Sequence, residues 1–563
     1  MIQLENFTLK SMIDQTIAKY PNRPALSMAD EKPMTYGQLG SQIFEVIAML
    51  KEYGIQKGDK VVILSQNLPN WGVVYLAVTY MGAVIVPILV DFHLNEIHQI
   101  IRHSGAKAVF VSNAHYDKVG YSDLDPQPLM FLVDKLTPIE PNLSKDKLSE
   151  YIDDRKAAWK RFRNKAMETV GIVDTEPIEE DLAAIIYTSG TTGSSKGVML
   201  SHRNLVMDAW LTLHIQTVDE NDRLISVLPL SHTYECTIGF IIPMMTGACV
   251  YYLDKPPTAR ILIPAMQKIK PTMIHTVPLI IEKIFKLQIH PQLTKNLLMR
   301  EMYKVPPVRK ALHKVAGKKL MKTFGGQIHF FGIGGALLSH DVERFLNDAS
   351  FPYAIGYGLT ETSPLIAGCS PSVVKFRSTG TVLPQLDVRI ADPDPKTKVG
   401  EIQVKGPTVM KGYYKDRQRT EQVFTPDGFF KTGDLGILTD KNYLYIKGRI
   451  KNVIVGPGGE NIYAEELEAK LNEAETVLES MVYESGGNIM ARVFLNYENL
   501  EASHNLTKMG STQAEKFIEK HLVELRTHLN ANVASFSKVH KILEQKEPFE
   551  KTPTQKIKRF LYQ

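Results

Sequence analysis

The chain has 563 residues, which is more than one compact core supports and therefore predicts at least two domains. Hydrophobic residues make up 44% and charged residues 23%, as in ordinary folded proteins, and the net charge of +5 is too small for this length to indicate a nucleic-acid-binding protein. The three cysteines lack paired short spacings, which argues against a disulfide framework or a zinc site and favours a cytoplasmic location.

Residues 71–90 run for twenty positions without a charge, a length that also suits a membrane-spanning helix. Gly82 and Pro87 interrupt the run, so we predict a buried helix followed by a buried strand. Further short apolar runs alternate with amphipathic stretches, and this rhythm predicts α/β units with largely parallel sheets. The predicted strands lie at residues 61–64, 108–111, 183–187, 224–228, 273–277 and 329–333.

Two polar segments interrupt the α/β pattern. Residues 144–165 are dense in charge and predict a surface helix or an excursion from the fold, and residues 288–322 predict a basic helical insertion between two buried strands. After residue 400 short alternating strands follow, as at residues 401–405. Residues 448–459 combine charge with glycine and proline as a linker does, so we predict a domain boundary near residue 450.

The most informative segment is residues 187–197, YTSGTTGSSKG, which follow a predicted buried strand. Its three glycines permit close backbone approach, and its hydroxyl side chains and lysine can donate hydrogen bonds to phosphate oxygens. A flexible surface loop is the ordinary alternative. A Walker A loop is excluded, because that motif needs glycine before its lysine and Ser or Thr after it, whereas Ser195 and Gly197 flank Lys196.

The segment resembles the signature loop of the adenylate-forming (AMP-binding) superfamily, which includes acyl-CoA synthetases, luciferases and nonribosomal adenylation domains. Four further motifs of that family occur in order along the chain: residues 356–364 (GYGLTETSP), 431–435 (KTGDL), 448–451 (GRIK) and 551–556 (KTPTQK). Gln555 departs from the family pattern, which has glycine at that position. A chance match at five ordered sites is negligible.

The resemblance implies an α/β fold in two domains. Residues 1–449 would form a large AMP-binding and acyl-binding domain of α/β subdomains with a small β-barrel-like part, and residues 450–563 a small mobile α+β domain. The implied reaction has two steps, because a carboxylate first attacks the α-phosphate of ATP and a thiol then displaces AMP. Both steps crowd anionic oxygens together, so the site needs cations and positioned donors. ATP, Mg²⁺ and CoA are the implied cosubstrates and cofactors.

Each matched residue is expected to take its motif's role in the family. The residues expected at the β- and γ-phosphates are Thr188, Ser189, Gly190, Thr191, Thr192, Gly193 and Lys196. Those expected to border the adenine are Gly334, Gly335, Ala336, Gly356 and Tyr357. Thr360 would contact the α-phosphate, and Glu361 with Thr188 would hold Mg²⁺, which prefers oxygen ligands. A helix cap is the ordinary alternative for the Thr360–Glu361 pair.

The remaining motifs supply a ribose site, a catalytic lysine and a hinge. Asp434 would accept hydrogen bonds from the ribose hydroxyls, and Arg449 would contact the ribose or a phosphate. Lys556 would neutralise charge between the carboxylate and the α-phosphate. Lys451 would be the hinge about which the small domain rotates. His232, within residues 228–235 (LPLSHTYE), would lie beside the acyl carbonyl and join Lys556, Thr360 and Glu361 as a catalytic residue. Isolated from their motifs, these would be a turn aspartate, solvated basic side chains and a buried core histidine.

The segment around His232 and the insertion at residues 288–322 resemble the long-chain fatty acyl-CoA synthetase branch. Amino-acid-activating relatives place an aspartate near that histidine, whereas here Glu235 is the only nearby acid. A long-chain fatty acid is therefore the expected substrate and CoA the expected acceptor. Two alternatives stay open: a fatty acyl-AMP ligase or acyl-carrier-protein synthetase, and a catalytically silent nucleotide-binding scaffold. Nucleic acid is not an expected partner, and peripheral contact with the inner face of a membrane stays open.

Overall fold

The computed structural model describes residues 3–119, 124–125, 127–140, 176–188, 195–456, 460–504, 509–552 and 556–563. The predictions for residues 144–165 and for loop residues 189–193 lie outside these ranges. Residues 71–90 contain most of the helix Pro69–Tyr80 and the whole of the strand Val84–Ile88, as predicted. Gly82, with a φ of +75°, lies between the two elements. In the part of the chain that is described, no helix is long and apolar enough to cross a membrane.

Two largely parallel sheets form the centre of the N-terminal part, and they contain all six predicted strands. The first sheet has the order Tyr353–Ile355, Phe330–Ile333, Met273–Thr276, Arg223–Ser226, Cys249–Tyr252, Pro24–Met28 and Met34–Thr35. The second has the order Gly412–Tyr413, Lys196–Ser201, Leu182–Thr188, Val84–Ile88, Lys60–Leu64, Ala108–Val111, Leu129–Leu132 and Thr137–Ile139. The antiparallel strands lie at or next to the edges of these sheets. The predicted α/β fold class is confirmed.

Smaller antiparallel sheets follow. A three-stranded sheet contains Tyr357–Gly358, Leu365–Gly368 and Thr381–Val382, and the region expected to be barrel-like is a four-stranded sheet of Asp387–Ala391, Gly400–Lys405, Phe430–Leu438 and Leu444–Arg449. The C-terminal part has a pair, Val453–Val455 and Asn461–Tyr463, and a three-stranded sheet of Val477–Ser485, Asn488–Leu495 and Lys541–Gln545.

Helices cover the sheets, and local sequence sets their ends. Thr35 and Gln38 form a reciprocal cap at the start of Tyr36–Glu52, and Pro69 occupies the first turn of its helix. The remaining α-helices of the N-terminal part are Leu9–Lys19, Leu94–Ser104, His202–Thr212, Ile242–Thr246, Ala259–Ile269, Pro278–Ile284, His290–Leu293, Leu297–Lys304, Pro306–Thr323, His340–Asp348 and Arg417–Val423. The π-helices are Tyr234–Ile241 and Phe285–Ile289. Three of these α-helices form the predicted insertion between Met273–Thr276 and Phe330–Ile333.

The C-terminal part has its own hydrophobic core. Its helices are Ala464–Leu471, Tyr497–His504 and Ser511–Ala531, and its largest apolar cluster begins at Ile454 and contains no residue of the N-terminal part. A separate core is what an independently moving domain requires. The boundary near residue 450 stays a prediction, and Lys451 lies in the short 3₁₀ turn Ile450–Asn452 that leads into the C-terminal part.

Candidate active site

The predicted site residues follow the carboxyl ends of parallel strands. Thr188 ends the strand Leu182–Thr188, His232 comes after Arg223–Ser226, Gly334 after Phe330–Ile333, and Gly356 after Tyr353–Ile355. In open α/β sheets the crevice outside these strand ends is where ligands bind. The fold therefore gathers residues that are up to 168 positions apart in sequence at one side of the molecule.

A strand pair fixes the two ends of the glycine-rich loop. Thr188 and Lys196 are register partners in the antiparallel pair Leu182–Thr188 and Lys196–Ser201. The Thr188 hydroxyl oxygen is buried and has no hydrogen-bond partner among the described residues. Since a buried hydroxyl without a partner is costly, this atom is suited to a ligand oxygen or a metal ion.

Glu361 is held by the side chains of Lys196 and Tyr413, which lie on paired strands. The Lys196 ammonium (Nζ) lies 2.6 Å from Glu361 Oε1 and donates to the Tyr413 hydroxyl at 2.7 Å, and that hydroxyl donates to Glu361 Oε1 at 2.9 Å. Burial disfavours ionisation of the Glu361 carboxyl, but the Lys196 charge lowers its pKa below the ordinary value. The carboxylate is therefore ionised at neutral pH. At the start of its 3₁₀ turn, Thr360–Thr362, the Thr362 hydroxyl accepts a hydrogen bond from the Leu359 backbone N–H.

Tyr413 is a site residue that the sequence reasoning missed. It lies on the strand Gly412–Tyr413, which pairs with the strand that carries Lys196. No motif marks it, and the only sequence signal is a pair of tyrosines after a glycine at residues 412–414.

Asp434 and Arg449 are brought together by a second strand pair. They are register partners in Phe430–Leu438 and Leu444–Arg449, and Arg449 Nε lies 3.1 Å from Asp434 Oδ1. Tyr357 donates from its hydroxyl to Asp434 Oδ2 at 2.9 Å, a contact that the sequence did not predict. Burial raises the pKa of Asp434, while the Arg449 charge opposes that rise. A paired carboxylate of this kind can accept hydrogen bonds from vicinal hydroxyls.

Lys556 from the C-terminal part reaches the same cleft. Desolvation by the protein groups around its ammonium lowers the pKa of Lys556 to about 8, although the residue as a whole is exposed to solvent, and Arg449, Asp434, Glu361 and Lys451 lie close enough to act on it electrostatically. Lys451 is also exposed to solvent, and desolvation by the nearby protein groups together with the Arg449 charge lowers its pKa to about 8. Four cations thus surround two carboxylates in one cleft: Lys196, Arg449, Lys451, Lys556, Glu361 and Asp434. The surplus of positive charge suits a polyanionic ligand.

His232 lies two residues before the π-helix Tyr234–Ile241. Burial lowers its pKa to about 4, and the nearby Lys556 charge acts in the same direction, so the imidazole is neutral. The following Thr233 hydroxyl lies 3.4 Å from that of Thr360. A Cβ added at Gly334 would lie 3.1 Å from the Tyr234 ring, so Gly334 allows the segment after His232 to pack closely. Gly335 has a φ of +88°, and both Gly335 and Ala336 are exposed at this rim.

Glu235 is turned away from the cleft. Its side chain is buried, its Oε1 accepts a hydrogen bond from Ser226 Oγ at 2.6 Å, and Ser226 in turn accepts one from Asn67 Nδ2 at 2.9 Å. Burial raises the pKa of the Glu235 carboxyl to about 8. At neutral pH and without a ligand the Glu235 carboxyl is therefore mainly uncharged.

Mg²⁺ fits the donors at Thr188 and Glu361. Magnesium usually takes one or two protein oxygens and completes its shell with water and substrate phosphates. An ionised carboxylate that already contacts a cation at 2.6 Å and an unpartnered hydroxyl provide such oxygens. Among the described residues there is no group of three or more His, Cys, Asp or Glu that could hold a metal by itself. The substrate would therefore have to supply the remaining ligands.

Residues 13–414 match the AMP-binding enzyme family, and the chain belongs to that family. It is 28% identical over 476 residues to the long-chain-fatty-acid–CoA ligase FadD15 of Mycobacterium bovis, covering 80% of this chain and 75% of the relative. It is 26% identical over 544 residues to the 4-coumarate–CoA ligase CCL1 of Humulus lupulus, covering 92% and 88%. The family is that of the adenylate-forming acid–thiol ligases, which use ATP and CoA.

The fold also matches solved structures over nearly its whole length. The ATP-bound crystal structure of MatB from Rhodopseudomonas palustris superposes with a TM-score of 0.76 and 23% sequence identity, covering 98% of each chain. The likeness includes the C-terminal part. The structure has therefore the architecture of an adenylate-forming enzyme, with a large N-terminal part and a smaller C-terminal part.

Proposed function

We propose that the protein activates a long-chain fatty acid with ATP as an acyl-adenylate and transfers the acyl group to CoA. The observation that carries this proposal is the meeting of Lys556 with Glu361, Asp434 and Arg449 in one cleft beside His232. No nucleophilic side chain is required, because the carboxylate of the substrate is itself the nucleophile.

In the first step a carboxylate oxygen attacks the α-phosphorus of ATP, a P–O bond forms, and pyrophosphate leaves. Lys196 and the donors near Thr188 would hold the β- and γ-phosphates, and Mg²⁺ bound at Glu361 would supply further neutralisation of the leaving group. Lys556 would lie between the carboxylate and the α-phosphate, two anions that repel each other as the bond forms. Asp434 and Arg449 would fix the ribose and so aim the phosphorus.

In the second step the thiolate of CoA attacks the acyl carbonyl, and AMP leaves with the electron pair of the cleaved C–O bond. A neutral His232 beside that carbonyl can orient it without adding charge. The acyl group is proposed to be apolar because Glu235, the one acid near His232, is buried and mainly neutral. The named function of FadD15 in Mycobacterium bovis supports the same substrate class.

The first prediction concerns products and chain length. Purified protein with ATP and Mg²⁺ should release pyrophosphate only when a fatty acid is present, and with CoA it should form acyl-CoA and AMP. Each buried methylene contributes about 0.8 kcal/mol, so kcat/KM should rise about fourfold per CH₂ until the pocket is filled. A coupled pyrophosphate assay with a series of saturated acids measures both.

Three comparison reactions accompany this assay. One replaces the fatty acid with an aromatic acid, one replaces CoA with an acyl carrier protein, and one omits the acceptor. Faster activation of a cinnamate-type acid would overturn the fatty acid assignment while leaving the ligase class intact. Transfer to the carrier protein but not to CoA would select the carrier-protein alternative. ADP and phosphate as products, or no turnover at all, would contradict the proposed reaction.

A second prediction concerns the contact between the two parts of the chain. Lys286 donates to the backbone carbonyl oxygens of Asn472 and, at 3.2 Å, of Val477, both in the C-terminal part. Lys286→Met removes both bonds and should destabilise the pose that brings Lys556 into the cleft by about 1.4 kcal/mol, which slows adenylation about tenfold. Single-turnover measurements from ATP plus acid and from synthetic acyl-AMP check this.

The matched control is Lys283→Met, because Lys283 is an exposed lysine one turn earlier in the same helical run. That variant should behave as the parent protein. If Lys286→Met slowed adenylation and acyl transfer equally, the contact would not distinguish the two poses and the interpretation would be wrong.

A further inference from the structure

The positive charge of the chain is concentrated in one helical segment. Between residues 287 and 322, which we name the basic helical segment, there are nine lysines and arginines and a single acid, Glu301. The segment therefore carries a formal charge of +8, and the rest of the chain carries −3, although the whole chain is only +5. A charge asymmetry of this size indicates an anionic partner.

The same segment exposes aliphatic side chains. Six of the seventeen exposed large hydrophobic residues in the described ranges belong to it: Leu287, Leu297, Leu298, Met302, Val305 and Val315. The helix Leu297–Lys304 has no buried residue, and Leu298 is 69% exposed. Leu298 and Met302 are four residues apart and so share one face of that helix. Nothing in the described part of the chain covers this face.

The next helix of the segment exposes a row of lysines. Lys310, Lys314 and Lys318 follow one another at four-residue spacing along the exposed side of Pro306–Thr323, so they form a stripe. None of these three has an ion-pair partner among the described residues. Val315 is 70% exposed within the stripe. Apolar side chains bordered by unpaired lysines are the pattern by which a helix binds an anionic membrane surface.

The segment is held firmly against the N-terminal part. His313 is buried, lies 2.9 Å from Asp348 Oδ2 through its Nδ1, and lies 2.8 Å from the Tyr303 hydroxyl through its Nε2. Tyr303 belongs to the helix Leu297–Lys304 and His313 to the helix Pro306–Thr323. This anchor fixes the two helices to each other and to His340–Asp348, and it leaves their aliphatic and basic side chains outward.

We propose that the basic helical segment is a docking surface for an anionic lipid bilayer. The aliphatic side chains of Leu297–Lys304 insert among the acyl chains, and the lysine stripe lies at the anionic head groups. Hydrocarbon insertion needs no complementary groove, which suits a projecting helix with no buried face. Docking of this kind does not depend on the proposed reaction.

Co-sedimentation of the full chain with vesicles tests the proposal. The protein should bind vesicles of phosphatidylcholine with phosphatidylglycerol at least about tenfold more tightly than vesicles of phosphatidylcholine alone. High salt should remove this preference, because it screens the attraction between lysines and anionic head groups. Leu298→Glu with Met302→Glu should abolish binding. Lys310→Gln, Lys314→Gln and Lys318→Gln together should remove the preference for anionic lipid. Both variants should keep the circular dichroism spectrum and the thermal unfolding midpoint of the parent, which shows that they fold.

The controls lie on the C-terminal helix Ser511–Ala531. Val523 is 51% exposed there, and Val523→Glu, or Lys516→Gln with Lys520→Gln, should bind vesicles as the parent does. Failure of the parent to bind anionic vesicles, or equal loss in the control variants, would overturn the proposal. A different result would also overturn the proposal: the segment variants bind vesicles as the parent does but no longer transfer the acyl group to an acidic carrier protein. That result would assign the surface to the carrier protein.

Discussion

Replacing Glu361 with glutamine should slow acyl-adenylate formation by about two orders of magnitude. The substitution keeps the size of the side chain and removes the charge that faces Lys196 at 2.6 Å. It therefore weakens the site proposed for Mg²⁺ and releases the ammonium that would hold the leaving phosphates. Pyrophosphate release at saturating acid and ATP gives the rate, and circular dichroism verifies that the variant is folded.

The Mg²⁺ dependence separates a metal ligand from a residue that only positions Lys196. If Glu361 holds the metal, the variant should need more Mg²⁺ for half-maximal rate, whereas Tyr413→Phe, which removes only the hydroxyl beside Glu361, should not. Glu343→Gln is the matched control, because Glu343 is also buried but pairs with Arg377 away from the cleft. An unchanged rate for Glu361→Gln at limiting Mg²⁺ would contradict the metal assignment.

The regular elements of the fold were predictable because their signals are local. Apolar runs bounded by glycine or proline located all six predicted strands to within a few residues, and Gly82 correctly separated the helix from the strand at residues 71–90. The basic insertion was also predicted as helical. Its outward aliphatic face was not, because exposure depends on what the rest of the chain leaves uncovered.

The site was predictable only where a motif carried it. Lys196, Glu361, Asp434, Arg449 and Lys556 were chosen from five separate motifs, and the structure brings them into one cleft. Their individual roles stay predictions. The loop residues between Thr188 and Lys196 lie outside the described ranges, so their proposed phosphate contacts stay predictions as well.

Two kinds of contact could not be predicted from the sequence: those between neighbouring strands at a sheet edge and those between the N-terminal and C-terminal parts of the chain. Tyr413 reaches Lys196 across 217 positions, and Lys286 reaches Val477 across 191. Sequence identified Glu235 as the only acid near His232, but it did not show that this carboxyl is buried, accepts a hydrogen bond from Ser226 and is mainly neutral. Burial and pairing of this kind arise from tertiary packing, which has no local sequence period.

Replacing Lys556 with alanine should separate the two half-reactions. In the structure its ammonium lies among Arg449, Asp434 and Glu361, where the carboxylate and the α-phosphate would meet. Its pKa of about 8 leaves it mainly protonated at pH 7, and two arriving anions raise the pKa further. Loss of this charge should slow adenylation by two to three orders of magnitude, about the effect of removing one preorganised donor from a transition state.

Transfer from acyl-AMP to CoA should not need Lys556, because no pentavalent phosphorus forms in that step. Single-turnover reactions of Lys556→Ala are therefore started once from ATP plus acid and once from synthetic acyl-AMP. Relative to the parent, the first should be slowed by the two to three orders of magnitude given above, and the second should not be slowed. Lys558→Ala is the matched control, because Lys558 lies two residues away in the same tail and pairs with Glu550 instead of entering the cleft. That variant should retain both rates. Equal slowing of both half-reactions by Lys556→Ala, in a folded protein, would show that Lys556 acts by holding the C-terminal part in place and that its charge is not what drives adenylation.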